Sequence, residues 1–145
     1  MRIQQAERKD IAVIAALACR LWPSHTLQEM QMEIGQLLAK PDAVFFLAYA
    51  EETAVGFAQC QLRHDYVEGT ESTPVGYLEG IYVTEEYRKQ GIARALLSAC
   101  QGWAREQGCA ELASDCELTN VESLLFHRKM GFAEANRIIC FVKKL

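Results

Sequence analysis

Three cations, Arg88, Lys89 and Arg94, surround Gly91 where a β-rich run, Gly80 to Val83, gives way to an amphipathic helical pattern. That arrangement suits an anion. The first turn of a helix leaves several backbone N–H groups without partners, with the positive end of the helix dipole behind them. Gly91 lacks the Cβ that would hold a bulky anion off the backbone, and the neighbouring cations add charge around it. No Gly-Lys-Ser/Thr ending follows, so the segment does not read as a nucleotide triphosphate loop with its magnesium. It reads as a phosphate cradle between a strand and a helix.

Arg88-Lys89-Gln90-Gly91-Ile92-Ala93 resembles the Arg/Gln-x-x-Gly-x-Gly/Ala loop of the GCN5-related (GNAT) N-acetyltransferases, which holds the pyrophosphate of coenzyme A. The stretch from Asn120 to Phe132 resembles the helix and Gly-Phe turn that end the acyl-coenzyme A site of that family. On the substrate side, Leu21 to His25, Arg63 to Gly69, Ser72 to Ile81 and Ala113 to Asp115 are similar to segments of the short aminoglycoside 6'-N-acetyltransferases. The resemblance implies acetyl-CoA as cosubstrate and direct attack by an aminoglycoside 6'-amine in a ternary complex, giving antibiotic resistance. It also implies a homodimer. It assigns cofactor contacts to Ile81, Tyr82, Val83, Arg88, Lys89, Gln90, Gly91, Ile92, Ala93, Arg94 and Asn120. Substrate contacts fall on Trp22, His25, Tyr66, Glu79, Asp115 and Asn136, the last a departure, because relatives often carry glutamate there.

Amine acetylation needs a neutral amine, a polarised thioester carbonyl and a proton for the departing thiolate. An alkylamine titrates at about 10, so at neutral pH it arrives as the ammonium ion and must lose a proton. Glu79, on the strand before the cradle, is the leading base, directly or through water; the alternative is that it only binds the ammonium electrostatically. The Val83 N–H is the candidate oxyanion donor, or else an ordinary ladder bond. His127 stands where many relatives carry a tyrosine thought to protonate the thiolate. Imidazole suits that task, while the competing reading sets His127 against solvent beside Arg128 and Lys129. Asn120 reads as a helix cap as well as a cofactor contact. Asp65, Glu68, Glu71, Glu79, Asp115 and Glu117 supply acids to one mouth if the loop and strand ends converge; for Glu68, Glu71 and Glu117 a solvated surface is preferred.

The chain's bulk properties agree with such a site. A chain of 145 residues, 50% hydrophobic and 23% charged, fits one domain, residues 1–145, with a full core. A net charge of −4 favours a cationic substrate over nucleic acid. No apolar run approaches a membrane span, and no signal core opens the sequence, so a cytoplasmic protein is expected. Cys19, Cys60, Cys100, Cys109, Cys116 and Cys140 show no Cys-x-x-Cys spacing and read as reduced core residues. None falls on a family nucleophile position. With His25, His64 and His127 also unpaired in spacing, no metal site is expected.

The elements that must carry these residues follow from pattern. Met1 to Ala6 reads as an edge strand, Asp10 as the cap of a helix running to Leu21, and Thr26 as the start of a second helix stopping before Pro41. Ala43 to Ala50 and Ala54 to Leu62 form a hairpin across Glu51-Glu52-Thr53, and Arg63 to Pro74 a polar, mobile loop. Val75 to Val83 is a strand, Gly91 to Gln107 a helix, Ala110 to Ser114 a strand and Asn120 to Met130 a helix. Phe132 to Lys143 is expected to hold one or two final strands, with Ile138 to Val142 either joining a partner sheet or lying inside the core. Trp103, Phe126 and Phe132 are assigned to the core, as is the stripe Ile92, Leu96, Leu97 and Cys100. The resulting order is an α/β (α+β) fold, the GCN5-related acetyltransferase fold, with a mixed central sheet flanked by helices. Two rivals stand beside the aminoglycoside reading: an acetyltransferase for polyamines or another small amine, and a noncatalytic acyl-CoA-binding module.

Overall fold

Alternating apolar residues in the two central strands allow helices to pack on both faces of one sheet. In the computed structural model, which describes residues 1–145, β1 (Arg2–Gln5), β2 (Ala43–Ala50), β3 (Thr53–Arg63), β4 (Val75–Val83) and β5 (Leu112–Ser114) lie side by side in chain order. All pairs are antiparallel except β4 with β5, which is parallel. The helices are α1 (Ile11–Leu21), α2 (Leu27–Leu38), α3 (Ile92–Glu106) and α4 (Val121–Lys129).

Phe45, Leu47 and Phe57 point to one face and pack with Ile14, Leu17, Met30 and Ile34 of α1 and α2. Val44, Ala48, Val55 and Ala58 point to the other and meet Leu96, Leu97, Cys100 and Trp103 of α3. Each fully buried large side chain contributes about 1.5–3 kcal/mol relative to exposure. The Ile92, Leu96, Leu97 and Cys100 stripe and Trp103 are core, as their spacing predicts.

Three local expectations are corrected. Asp10 stands at the start of α1 but does not cap it; its carboxylate accepts the Glu7 N–H at 2.8 Å and closes the preceding 3-10 turn. Thr26 does cap α2, accepting the Glu29 N–H at 3.1 Å. Phe126 and Phe132 are only half-buried, because α4 has no buried residue and no element covers its outer side. Cys116 and Cys140 are exposed, unlike the buried Cys60, Cys100 and Cys109.

The largest difference lies at the end of the chain, where no strand forms after α4. Ile138, Ile139, Phe141 and Val142 are 69%, 80%, 90% and 94% exposed. The β propensity of this run is real, but a strand needs a neighbour to satisfy its backbone, and the run is not paired into this chain's sheet. It is therefore no internal core strand.

Candidate active site

β5 stops early, and that sets the site. Its pairing with β4 runs only from Gly76↔Leu112 to Leu78↔Ser114, while β4 continues to Val83. Beyond Leu78, β4 keeps β3 on one side and an open edge on the other. The Thr84 N–H donates to the Val55 carbonyl at 2.8 Å, which fixes the phase of the antiparallel ladder. By alternation the backbone groups of Tyr82 and Gly80 face β3, whereas those of Ile81 and Val83 face the open edge. A thioester-bearing arm can add to such an edge as a strand would.

The cradle lies at the end of this edge. Gly91 is the N-terminal residue flanking α3, with φ 82°, and no side chain caps the helix. A Cβ built on Gly91 would meet nothing within 4 Å. The N–H groups of Ile92, Ala93 and Arg94 thus open onto free space beneath exposed Lys89, Gln90 and Arg94, while the Ile92 side chain is core. Arg88 is placed differently from the expectation of a free cation. Its Nε donates to the Val83 carbonyl at 2.9 Å and its guanidinium lies 5.6 Å from the centre of the Tyr82 ring, so it braces the end of β4.

His127 is tied to the fork between β4 and β5. Its Nδ1 lies 2.7 Å from the Ser123 carbonyl, which can only accept, so Nδ1 carries a proton. Its Nε2 lies 2.8 Å from the Ser114 Oγ, itself 3.2 Å from the Leu78 carbonyl. A hydroxyl has one proton to give. When Ser114 donates to Leu78, Nε2 must donate and the ring is a cation; when Ser114 donates to Nε2, the ring is neutral. The solvent-facing reading of His127 does not hold, since the ring is half-buried between Phe126 and Phe132 at 5.6 and 5.1 Å.

Glu79 is the extra residue of a bulge: Gln59 pairs with Gly80 and Cys60 with Leu78, leaving it without a partner position. Bulges re-aim side chains, often beside active sites. Both its oxygens are occupied, Oε1 by Arg63 Nη2 at 2.8 Å and Oε2 by Arg63 Nε at 3.1 Å. The Arg63 guanidinium stacks 3.4 Å from the centre of the Tyr77 ring, and the Tyr77 hydroxyl donates to Asp115. The hydrogen bond to Glu79, together with the nearby negative charges, holds the Arg63 pKa above its usual value despite partial burial. Burial, and then Asp115, push the Tyr77 phenol upward as well. Neither Arg63 nor Tyr77 was singled out from the sequence as a site residue. The legible signal is weak: Tyr77 and Glu79 lie two apart on a strand, and Arg63 ends the strand beside it.

The remaining substrate-side residues divide. Trp22 lies against Gly80, where a Cβ would come within 2.6 Å of the indole, and meets Phe57 edge-on at 6.1 Å. It therefore forms a wall next to Glu79. Tyr66 is 78% exposed and reaches only Glu68, at 3.4 Å. Asn136 donates to Glu68 Oε1 at 2.9 Å, which joins the base of the C-terminal arm to the loop and gives Glu68 two partners. His25 lies in the turn after α1, its N–H donating to the Trp22 carbonyl at 3.2 Å and its Nδ1 3.7 Å from Glu29. Asn120 caps α4 through its Oδ1 to the Ser123 N–H at 3.1 Å. The acids thus do not all meet in one mouth: Glu79 and Asp115 share the Arg63–Tyr77 stack, whereas Glu111, which the sequence reading overlooked, holds the loop through the Glu71 N–H at 2.9 Å and the Ser72 hydroxyl. Val67 is buried against Val75 and Tyr77, anchoring the loop at a second point.

Residues 11–132 match the acetyltransferase (GNAT) family. The chain is 46% identical over 140 residues to the aminoglycoside N(6')-acetyltransferase type 1 of Stenotrophomonas maltophilia, covering 96% of this chain and 90% of that protein. Its fold superposes on an aminoglycoside N-acetyltransferase, AAC(6')-Iy, in complex with CoA with a TM-score of 0.96 at 35% identity, over 99% of this chain and 95% of the other. The same enzyme in complex with the bisubstrate analogue CoA-S-monomethyl-acetylneamine gives a TM-score of 0.95 at 35% identity, covering 99% and 98% of the two chains.

Proposed function

The chain belongs to the acetyltransferase (GNAT) family, and from that premise we propose that it is an aminoglycoside 6'-N-acetyltransferase, using acetyl-CoA as donor and giving antibiotic resistance. The observation that carries the reading is the open edge of β4 running from bulged Glu79 to the uncapped start of α3. One edge offers a base, a carbonyl-polarising N–H and an anion cradle in line.

Acetyl-CoA supplies an activated acetyl thioester. Ile81 and Val83 hold its arm along the edge, Tyr82 between them keeps β4 paired to β3, and Lys89, Gln90, Gly91, Ile92, Ala93 and Arg94 lie at its phosphates with Asn120 beside it. Arg88 serves by fixing Val83. The Val83 N–H donates to the thioester carbonyl, an interaction worth about 3 kcal/mol when preorganised. Glu79 binds the incoming ammonium and takes its proton, directly or through water. The amine then attacks within a ternary complex, and the His127 Nε2 proton serves the departing thiolate. Trp22, Tyr66, Asp115 and Asn136 border the sugar rings, and His25 bounds the site from the end of α1.

The domain that does this work is the whole of residues 1–145. A second copy completes the molecule: the apolar run Ile138 to Val142, outside its own fold, joins the sheet of a partner in a homodimer. Its charge fits that role, since Arg137, Lys143 and Lys144 flank the run on a chain whose net charge is −4. No helix is long and apolar enough to cross a membrane, and all six cysteines are free, which supports a place in the cytoplasm.

Thiol release from acetyl-CoA with kanamycin and tobramycin, beside 6'-hydroxyl aminoglycosides and spermidine, tests the reading, with the acetyl position mapped on the product. Selective 6'-N-acetylation is the expected result. Turnover confined to spermidine would replace it with a small-amine acetyltransferase, and cofactor binding without any turnover would replace it with a noncatalytic module.

A further inference from the structure

Glu79 is the carboxylate that an arriving ammonium must reach, yet it is already paired. Its side chain is 18% exposed and that of Arg63 is 44% exposed, so the acid lies inside and the cation lies over it. The pairing is two-pronged, at 2.8 and 3.1 Å, and the guanidinium rests on the Tyr77 ring at 3.4 Å. A second carboxylate, Asp115, accepts from the hydroxyl of that same tyrosine. The guanidinium thus lies between two acids in the position a substrate cation needs.

Arg63 also has somewhere to go. It is the last residue of β3 and the polar loop to Pro74 follows it. Its hydrogen bonds to Glu79 are the only ones its side chain makes. Two-pronged geometry makes this pair stronger than an ordinary exposed one, so every ammonium that binds Glu79 meets the cost of displacing it. A polycation can also meet Asp115, which accepts from the Tyr77 hydroxyl beside the pair. The displacement cost is the same for an amine with a single charge.

We propose that Arg63 is a built-in cation that occupies Glu79 in the empty enzyme and yields it to the substrate ammonium, so that the binding of every amine is weakened by the cost of displacing it. This inference rests on the 6'-N-acetyltransferase reading above. Arg63 is a competing cation here and takes no part in bond making.

The test is steady-state acetylation of polycationic kanamycin and of singly charged 6-amino-6-deoxyglucose by the wild type and by Arg63→Met, Arg63→Gln and Arg63→Lys. Both neutral variants are expected to raise kcat/KM about five- to tenfold for both sugars, the scale of one displaced two-pronged pair that is the same for each. The kcat for kanamycin should stay within about twofold, so that the gain comes through a lower KM. Arg63→Lys, which keeps the charge, should stay nearer the wild-type kcat/KM for both sugars. A fall in kanamycin kcat in both neutral variants would overturn the inference, because Arg63 would then be needed to orient Glu79 during turnover. Unchanged kcat/KM for both sugars in both neutral variants would overturn it too. A wild type inert on kanamycin removes the parent reading and this inference with it, an outcome separate from either variant result.

Discussion

Gly91 and Gly108 provide a matched pair for testing the phosphate cradle. They flank the two ends of α3 with φ of 82° and 88°, and a Cβ on either would meet nothing within 4 Å. Alanine at either site therefore pays the same backbone penalty, about 1–2 kcal/mol for a left-handed L-residue, without a protein clash. For a domain of this size that corresponds to a loss of roughly 3–8 °C in Tm. The two sites differ in what the new methyl faces. On Gly91 it points into the space beside the unpaired N–H groups of Ile92, Ala93 and Arg94, where a phosphate must come close. Gly91→Ala should raise the KM for acetyl-CoA by about tenfold, equivalent to ~1.4 kcal/mol, whereas Gly108→Ala should leave it within twofold. Differential scanning fluorimetry and acetyl-CoA titrations at saturating kanamycin measure the two effects. Equal shifts in KM for the two variants, or none for Gly91→Ala, would refute the assignment of the cradle.

Ser114→Ala and His127→Gln should each lower kcat by about 10²-fold, the lower range for a lost proton donor, while leaving the KM for kanamycin little changed; stopped assays across pH 6–9 check both. Tyr77→Phe should flatten the alkaline loss of stability. The folded Tyr77 pKa is raised above its ordinary value of 10.0, so above about pH 10 the unfolded chain releases that proton first and stability falls by up to ~1.4 kcal/mol per pH unit. Urea melts at pH 9, 10 and 11 should show the wild type losing more than the variant. Removing residues 137–145 should give a monomer by light scattering with unchanged far-UV circular dichroism, because this arm adds no element to its own fold.

Local chemistry made much of this protein readable from its sequence. Gly91 among cations after a strand marks an anion site because a helix start and a missing Cβ act within a few residues. The period of apolar positions placed all four helices and the first five strands to within a few residues, as β2, β3 and α3 illustrate. The final run from Phe132 failed for the same reason that the others succeeded. Its composition favours a strand, yet pairing is not a property of composition, and its own sheet gives it no neighbour.

The site's electrostatics belonged to the tertiary structure. Glu79 reads as a lone acid in the sequence, but a one-residue bulge turns it toward Arg63, 16 positions away, and Tyr77 links that pair to Asp115, 38 positions beyond the tyrosine. His127 likewise acquires a proton partner only because α4 lies where β5 ends, bringing Ser114 to its Nε2. Residue types, helix starts and strand periods are set by neighbours along the chain. Which carboxylate meets which cation is set by register and by where a short strand stops, and those follow from the packing of the whole sheet against its helices.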